Sequence, residues 1–212
     1  MTVALSEAEA AAVTEEALRR NDRYLREVVE GFNVCPFARG ARVSGRAVRE
    51  VLLVDALDPA PVVDAIERYE RGAESVEIVQ LILPRLTAAP RDFEDFVGRV
   101  REVRAARTGV PPFALAGFHP DFALDPRNPD TSVPFFRRAP DPMIQLVRLA
   151  VIDSLTRNDP THAELIERFL RGEEPPPPPV PARITRDNYQ HILRDGGAAI
   201  AAIYASIARD RR

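Results

Sequence analysis

Between Val48 and Phe118 the chain alternates strand-sized apolar runs with stretches of helical period. This alternation limits the folds open to it more than any other feature. Residues 48–54 are rich in β-branched side chains and read as a strand. Asp58-Pro59 then supplies a cap and a first-turn proline, and Val62, Val63, Ile66 and Tyr69 follow at helical spacing up to Gly72. Residues 76–83 form a nearly continuous apolar strand, interrupted only by Glu77 and Gln80 and stopped by Pro84. Pro90 opens a helix with Phe93, Phe96, Val97, Val100 and Val103 on one face, and Gly109 closes it. Residues 113–118 make the next strand. Strand, helix, strand, helix, strand predicts an α/β domain: a small sheet of about three strands with crossover helices packed on it. The apolar strands imply a sheet well covered by helices. A ferredoxin-like α+β sandwich is the alternative, because periodicity does not order strands.

The flanks extend this unit. Ser6 and Glu9 have capping-box spacing, and Leu18, Leu25, Val28, Val29 and Phe32 fall on one face of a long N-terminal helix. Gly31 and Asn33 are its stop signals, since both tolerate left-handed backbone. Residues 119–139 lack periodicity and carry four prolines, but Phe122, Phe135 and Phe136 predict a loop that packs down. Beyond Pro140 and Pro142, Ile144, Val147, Val151 and Leu155 predict a fourth helix, with a short one over 161–170. The proline run ending at Pro181 predicts an extended spacer. Gly196 and Gly197 weaken the middle of a last helix. The expected organisation is one α/β domain over 1–172, a proline-rich linker over 173–184 and a C-terminal helix over 185–212. That helix's Ile192, Ala199, Ile200, Ile203 and Ile207 suit packing on the core or on a second copy, giving a homo-oligomer.

Charge narrows the partners. A formal net charge of -3 lacks the basic footprint of a general nucleic-acid binder. Every basic side chain apart from histidine is arginine, which removes lysine Schiff-base chemistry. One cysteine makes no internal disulfide, as expected in a reducing cytoplasm. The first ten residues lack a basic-then-apolar leader pattern, and the apolar runs are too short for a membrane span. The expectation is a soluble cytoplasmic protein with neither nucleic-acid nor membrane partners.

Two side chains stand out as chemistry. Cys35 lies just past the N-terminal helix in Asn33-Val34-Cys35-Pro36-Phe37-Ala38. At that helix's C-terminus the macrodipole disfavours a thiolate. As cap of a short turn beginning at Pro36, with Arg39, Arg42 and Arg46 nearby, the thiolate is favoured instead. A small buried hydrophobe is the third reading. His119 follows the strand end at Phe118 and precedes Pro120, at a sheet rim where α/β domains place ligands. The candidate catalytic pair is Cys35 as nucleophile and His119 as base, with Asn33 or Asp121 orienting the imidazole. Arg137 and Arg138 are candidates to clamp a carboxylate or phosphate, so a small anionic ligand is expected. A mixed metal site of Cys35, His119 and Asp121 is a lesser alternative. With no Gly-rich phosphate loop, paired-cysteine pattern or histidine pair at helical spacing, neither cofactor nor metal is expected.

The 33–38 motif, then Gly117-Phe118-His119-Pro120, then Arg138-Ala139-Pro140-Asp141-Pro142 with Arg148 beyond, resemble the bacterial domain-of-unknown-function family 1415 (DUF1415). The resemblance covers about residues 12–170, leaving the proline run and last helix as additions. It marks Asn33, Cys35, Pro36, Phe37, His119, Pro120, Arg138, Pro140 and Pro142 as motif positions and implies no activity. The chain departs from it at Gln145, where the resemblance implies histidine. Two functions stay open: a thiol- and histidine-dependent enzyme acting on a small anion, or a non-catalytic binding or assembly module in which Cys35 is structural.

Overall fold

The computed structural model describes residues 5–35, 38–72, 74–108, 111–123, 132–156, 164, 167–168, 170–172, 180–195 and 197–210. Helix α1 (Glu7–Tyr24) starts at the expected capping box: the Ser6 hydroxyl accepts from the Glu9 N–H, and the Ser6 N–H donates to the Glu9 carboxylate at 2.8 Å. It then widens into a π-helical segment, Leu25–Glu30, where the sequence predicted unbroken α-helix. Asn33 turns the chain with φ 50°, and the Val34 N–H reaches back to the Val29 carbonyl at 2.9 Å. Gly31 keeps right-handed backbone, so only one of the two predicted stop residues takes the left-handed angle. A short helix α2 (Ala38–Val43) leads into the sheet.

Strands β1 (Ala47–Val51), β2 (Ile78–Ile82), β3 (Phe113–Phe118) and β4 (Met143–Arg148) form one four-stranded sheet in the order β1-β2-β4-β3. Helix α3 (Ala60–Glu70) links the parallel neighbours β1 and β2, and α4 (Pro90–Thr108) links β2 to β3. β4 runs antiparallel between β2 and β3. The α/β class is as expected, with crossover helices on a small sheet. The ferredoxin-like alternative is met only by the split β2–α4–β3 half, since β1 and β2 are direct neighbours.

The fourth strand corrects the predicted helix after Pro142. Ile144, Val147 and Val151 do have helical spacing, but 143–147 is also an apolar run fit for a central strand. A strand covered on both faces has no clean alternation, so local pattern cannot separate it from a buried helix. Pairing on both sides decides it, and helix α6 (Leu149–Thr156) begins only afterwards.

Alternate strand residues face two separate cores. Val79, Leu81, Ile144 and Leu146 pack under α3 and α4 against Val63, Ile66, Phe93 and Phe96. Ile82, Phe118 and Met143 face α1, the π-helical segment and helix α5 (Ser132–Phe136). Two C-terminal helices, α7 (Val180–Asp195) and α8 (Gly197–Arg209), stand where one was expected. They pack back on the chain itself: Ile192, Ile200, Tyr204 and Ile207 share a cluster with Tyr24 and Val28. Helix begins at Val180, within the stretch expected as linker; residues 173–179 and most of the predicted 161–170 helix lie outside the described residues. The aromatic loop does pack down, with Phe122, Phe135 and Phe136 buried. The buried Arg20–Asp141 ion pair, 2.7 Å, ties α1 to the segment entering β4. Among the described residues no helix is long and apolar enough to cross a membrane.

Candidate functional site

The sheet face turned away from α3 and α4 is not fully covered. Register explains why. One row across the sheet is Ala47, Ile78, Val147 and Ala114; the next is Arg49, Gln80, Gln145 and Ala116. The alanines are too small to reach the helices above, and the middle row is polar. A cavity of about 380 Å³ remains, within the range of small-molecule sites. Its floor is this part of the sheet. Tyr24, Val29 and Cys35 wall one part, Phe136 and Arg137 another, and Ile184 and Asn188 of α7 contribute from the C-terminal segment.

Most polar groups around it are engaged. Arg42 makes a two-pronged contact with Glu30, at 2.6 and 2.9 Å, and this bonding lowers the Glu30 pKa. Arg49 reaches Asp22 at 3.1 Å. The Tyr24 hydroxyl donates to the Phe136 carbonyl at 2.7 Å, and burial raises its pKa. Gln80 donates its amide to the Gln145 carbonyl oxygen at 3.1 Å, leaving Gln80 Oε1 buried without a partner among the described residues.

Arg137 differs. Its backbone is pinned, since its carbonyl accepts the His119 N–H at 3.0 Å and its N–H bonds into α5. Its guanidinium lies over the Phe118 ring, 5.8 Å from the centroid. Among the described residues no carboxylate pairs with it. Burial lowers its pKa, although arginine stays protonated. Arg138 points elsewhere: its Nε donates to the Pro120 carbonyl at 2.9 Å, and its guanidinium covers the Tyr204 ring at 5.0 Å. The two arginines therefore form no joint clamp.

Cys35 and His119 do not share a site. Cys35 is half-buried at the cavity wall, ahead of α2. Of its neighbouring arginines, Arg42 holds Glu30 and Arg46 holds Glu77 at 2.6 Å. Pro36 and Phe37 lie outside the described residues. His119 is buried on the α4 side, its ring 5.4 Å from that of Phe93 and 5.8 Å from that of Phe122. Its Nδ1 accepts from the Asp121 N–H at 3.2 Å, and its Nε2–H donates to the Ala88 carbonyl at 3.1 Å. Both ring nitrogens thus clasp backbone, and burial lowers the imidazole pKa. Asp121 is exposed and enters that clasp through its N–H, not its carboxylate. Asn33 is exposed at an adjoining smaller cavity that also borders Asn188. Among the described residues no group of three or more His, Cys, Asp or Glu side chains converges to hold a metal.

Sequence reasoning passed over Gln80, marked Gln145 only as a departure from the family motif, and passed over Asn188. For the first two a signal existed: each is a lone carboxamide in an otherwise apolar strand, paired only through sheet register. Asn188 carried no signal, since it sits among other polar residues of α7.

The chain belongs to the family described as "Protein of unknown function (DUF1415)", whose model matches residues 16–171. No curated protein and no solved structure matches it. The matched segment supplies all four strands, Cys35 and Arg137, while α7 and α8 lie beyond it.

Proposed function

We propose that this DUF1415 member binds a small anionic molecule with an apolar body in the cavity on the open face of its sheet. The observation that carries this reading is Arg137: it lines the cavity and a smaller one beside α4, and its partly buried guanidinium has no carboxylate partner among the described residues. A desolvated cation is costly without a counter-charge, and an arginine fork pairs well with carboxylate or phosphate. The apolar walls suit the remainder of such a ligand. Cys35 serves as a wall contact, which favours the binding-module reading over thiol catalysis, because its expected base sits on the other side of the sheet. A reducing cytoplasm suits the single free thiol.

Carboxylates from butyrate to octanoate are the probes. They are expected to raise the unfolding temperature and to slow iodoacetamide labelling of Cys35. Arg137→Gln is expected to weaken binding by about tenfold or more, the loss of a charge-assisted contact. No carboxylate protecting Cys35 or shifting the melt would refute the proposal. Cys35 alkylating far faster than an ordinary thiol, and slowing in His119→Gln, would restore the enzyme reading.

A further inference from the structure

Asn188 has a place in the cavity that the anion contact leaves unexplained. It sits on α7, 3 % exposed, and the residue borders both the main cavity and the smaller one beside Asn33. No hydrogen bond to that side chain is present among the described residues. A carboxamide on a nearly buried residue beside a cavity, with no partner among the described residues, calls for an explanation. On the cavity floor Gln80 and Gln145 present a second carboxamide site: their mutual bond leaves one acceptor and one amide donor group unused. Exchanging the two amide orientations swaps which residue carries which role, not the sum. Besides the paired Arg42 and Arg49, cavity and floor thus hold one arginine with no carboxylate partner among the described residues and several groups that both donate and accept.

We infer that Asn188 is a specificity-determining residue that reads a neutral hydrogen-bonding group on the ligand, so that the ligand is a carboxylate also bearing an amide or hydroxyl. This rests on the anion-binding reading of the cavity and narrows its substrate class. A carboxamide is matched by a partner that donates and accepts at once, which an alkyl chain cannot do. The residue making this choice lies outside the segment matched by the family model. Specificity is therefore set by the appended helix, while the anion contact belongs to the family fold.

The test uses the full-length chain and two matched probe series: the monoamides succinamate, glutaramate and adipamate, and alkyl acids of the same chain lengths. ω-Hydroxyhexanoate separates hydroxyl from amide recognition. Calorimetric titration is expected to show at least one amide or hydroxy acid binding about tenfold more tightly than its alkyl counterpart. Asn188→Leu is expected to abolish that preference and retain alkyl-acid binding without lowering the unfolding midpoint of the ligand-free protein. Asn188→Ala, which adds no bulk, is expected to lose the preference too. A purely structural asparagine would instead give a destabilised Asn188→Leu protein with its preference intact, and that result overturns the inference. So does a wild type that binds both series equally. Binding of neither series refutes the anion reading itself, and this inference with it.

Discussion

His119 shows how a motif residue with reactive chemistry can be engaged as scaffold. Its ring closes a clasp between the end of β3, Ala88 and the turn at Asp121, and it does so as the neutral Nε2–H tautomer. Protonation would place a donor at Nδ1 against the Asp121 N–H. Its folded pKa is lowered, so the unfolded chain takes up the proton first as pH falls. The clasp's contribution is whole above the unfolded value, about 6.5, and is lost as pH drops through it toward the folded value. Urea midpoints measured between about pH 7.5 and 5 are expected to fall with acidification, with a flatter slope in His119→Gln. An unchanged slope would show that the ring titrates freely. Gly117 works two residues earlier by having no side chain: a Cβ there would meet Val97 Cγ2 at 3.2 Å and Phe93 Cε1 at 3.3 Å. Gly117→Ala is expected to destabilise by about 1–3 kcal/mol in urea unfolding through overpacking against α4.

Elements here are joined by buried charge as well as by apolar faces. Arg20 on α1 reaches across to Asp141 just before β4, and both side chains are almost wholly buried. Glu16, one turn earlier on α1, also contacts Arg20. Asp141→Ala removes the buried partner and leaves the guanidinium with the more exposed Glu16. The expected loss is about 3 kcal/mol, read from chemical unfolding; a change below about 0.5 kcal/mol would mean that the pair adds nothing net. The same junction explains why β4 was misread. Its neighbours on both sides are remote in sequence, at 78–82 and 113–118, and no local pattern announces them. The π-helical segment likewise left no trace in the apolar spacing of the first helix.

For the whole molecule, the C-terminal helices decide what is core and what is cavity. Ile200, Tyr204 and Ile207 lie against α1 and its π-helical extension, while α7 borders the ligand cavity. Deleting residues 180–212 would uncover Tyr24, Val28 and Val29 together with the cavity. The expected outcome is a lower melting temperature and strong binding of an apolar dye, not an intact core that has merely shed a tail. A truncated chain melting as the full chain does would show that these helices dock without contributing stability.

The α/β class, three of the four strands, the capped start of α1 and the family membership were all readable from one-dimensional pattern. The elements depend on residues that act within a turn or a strand length of one another, and the family on short motifs in a fixed order. The paired identity of the site was not readable that way. Cys35 and His119 looked alike on the chain, each beside a proline at an element's edge, yet alternation along β3 sends Phe118 to the cavity and the His119 ring to α4. Arg137 and Arg138 diverge for a similar reason, one lying over Phe118 and the other over Tyr204. Gln80 meets Gln145 only because β4 inserts between β2 and β3, and Asn188 arrives only because α7 folds back. Sheet register and long-range helix docking set which side chains face one another, and both are settled by contacts between residues far apart in the chain.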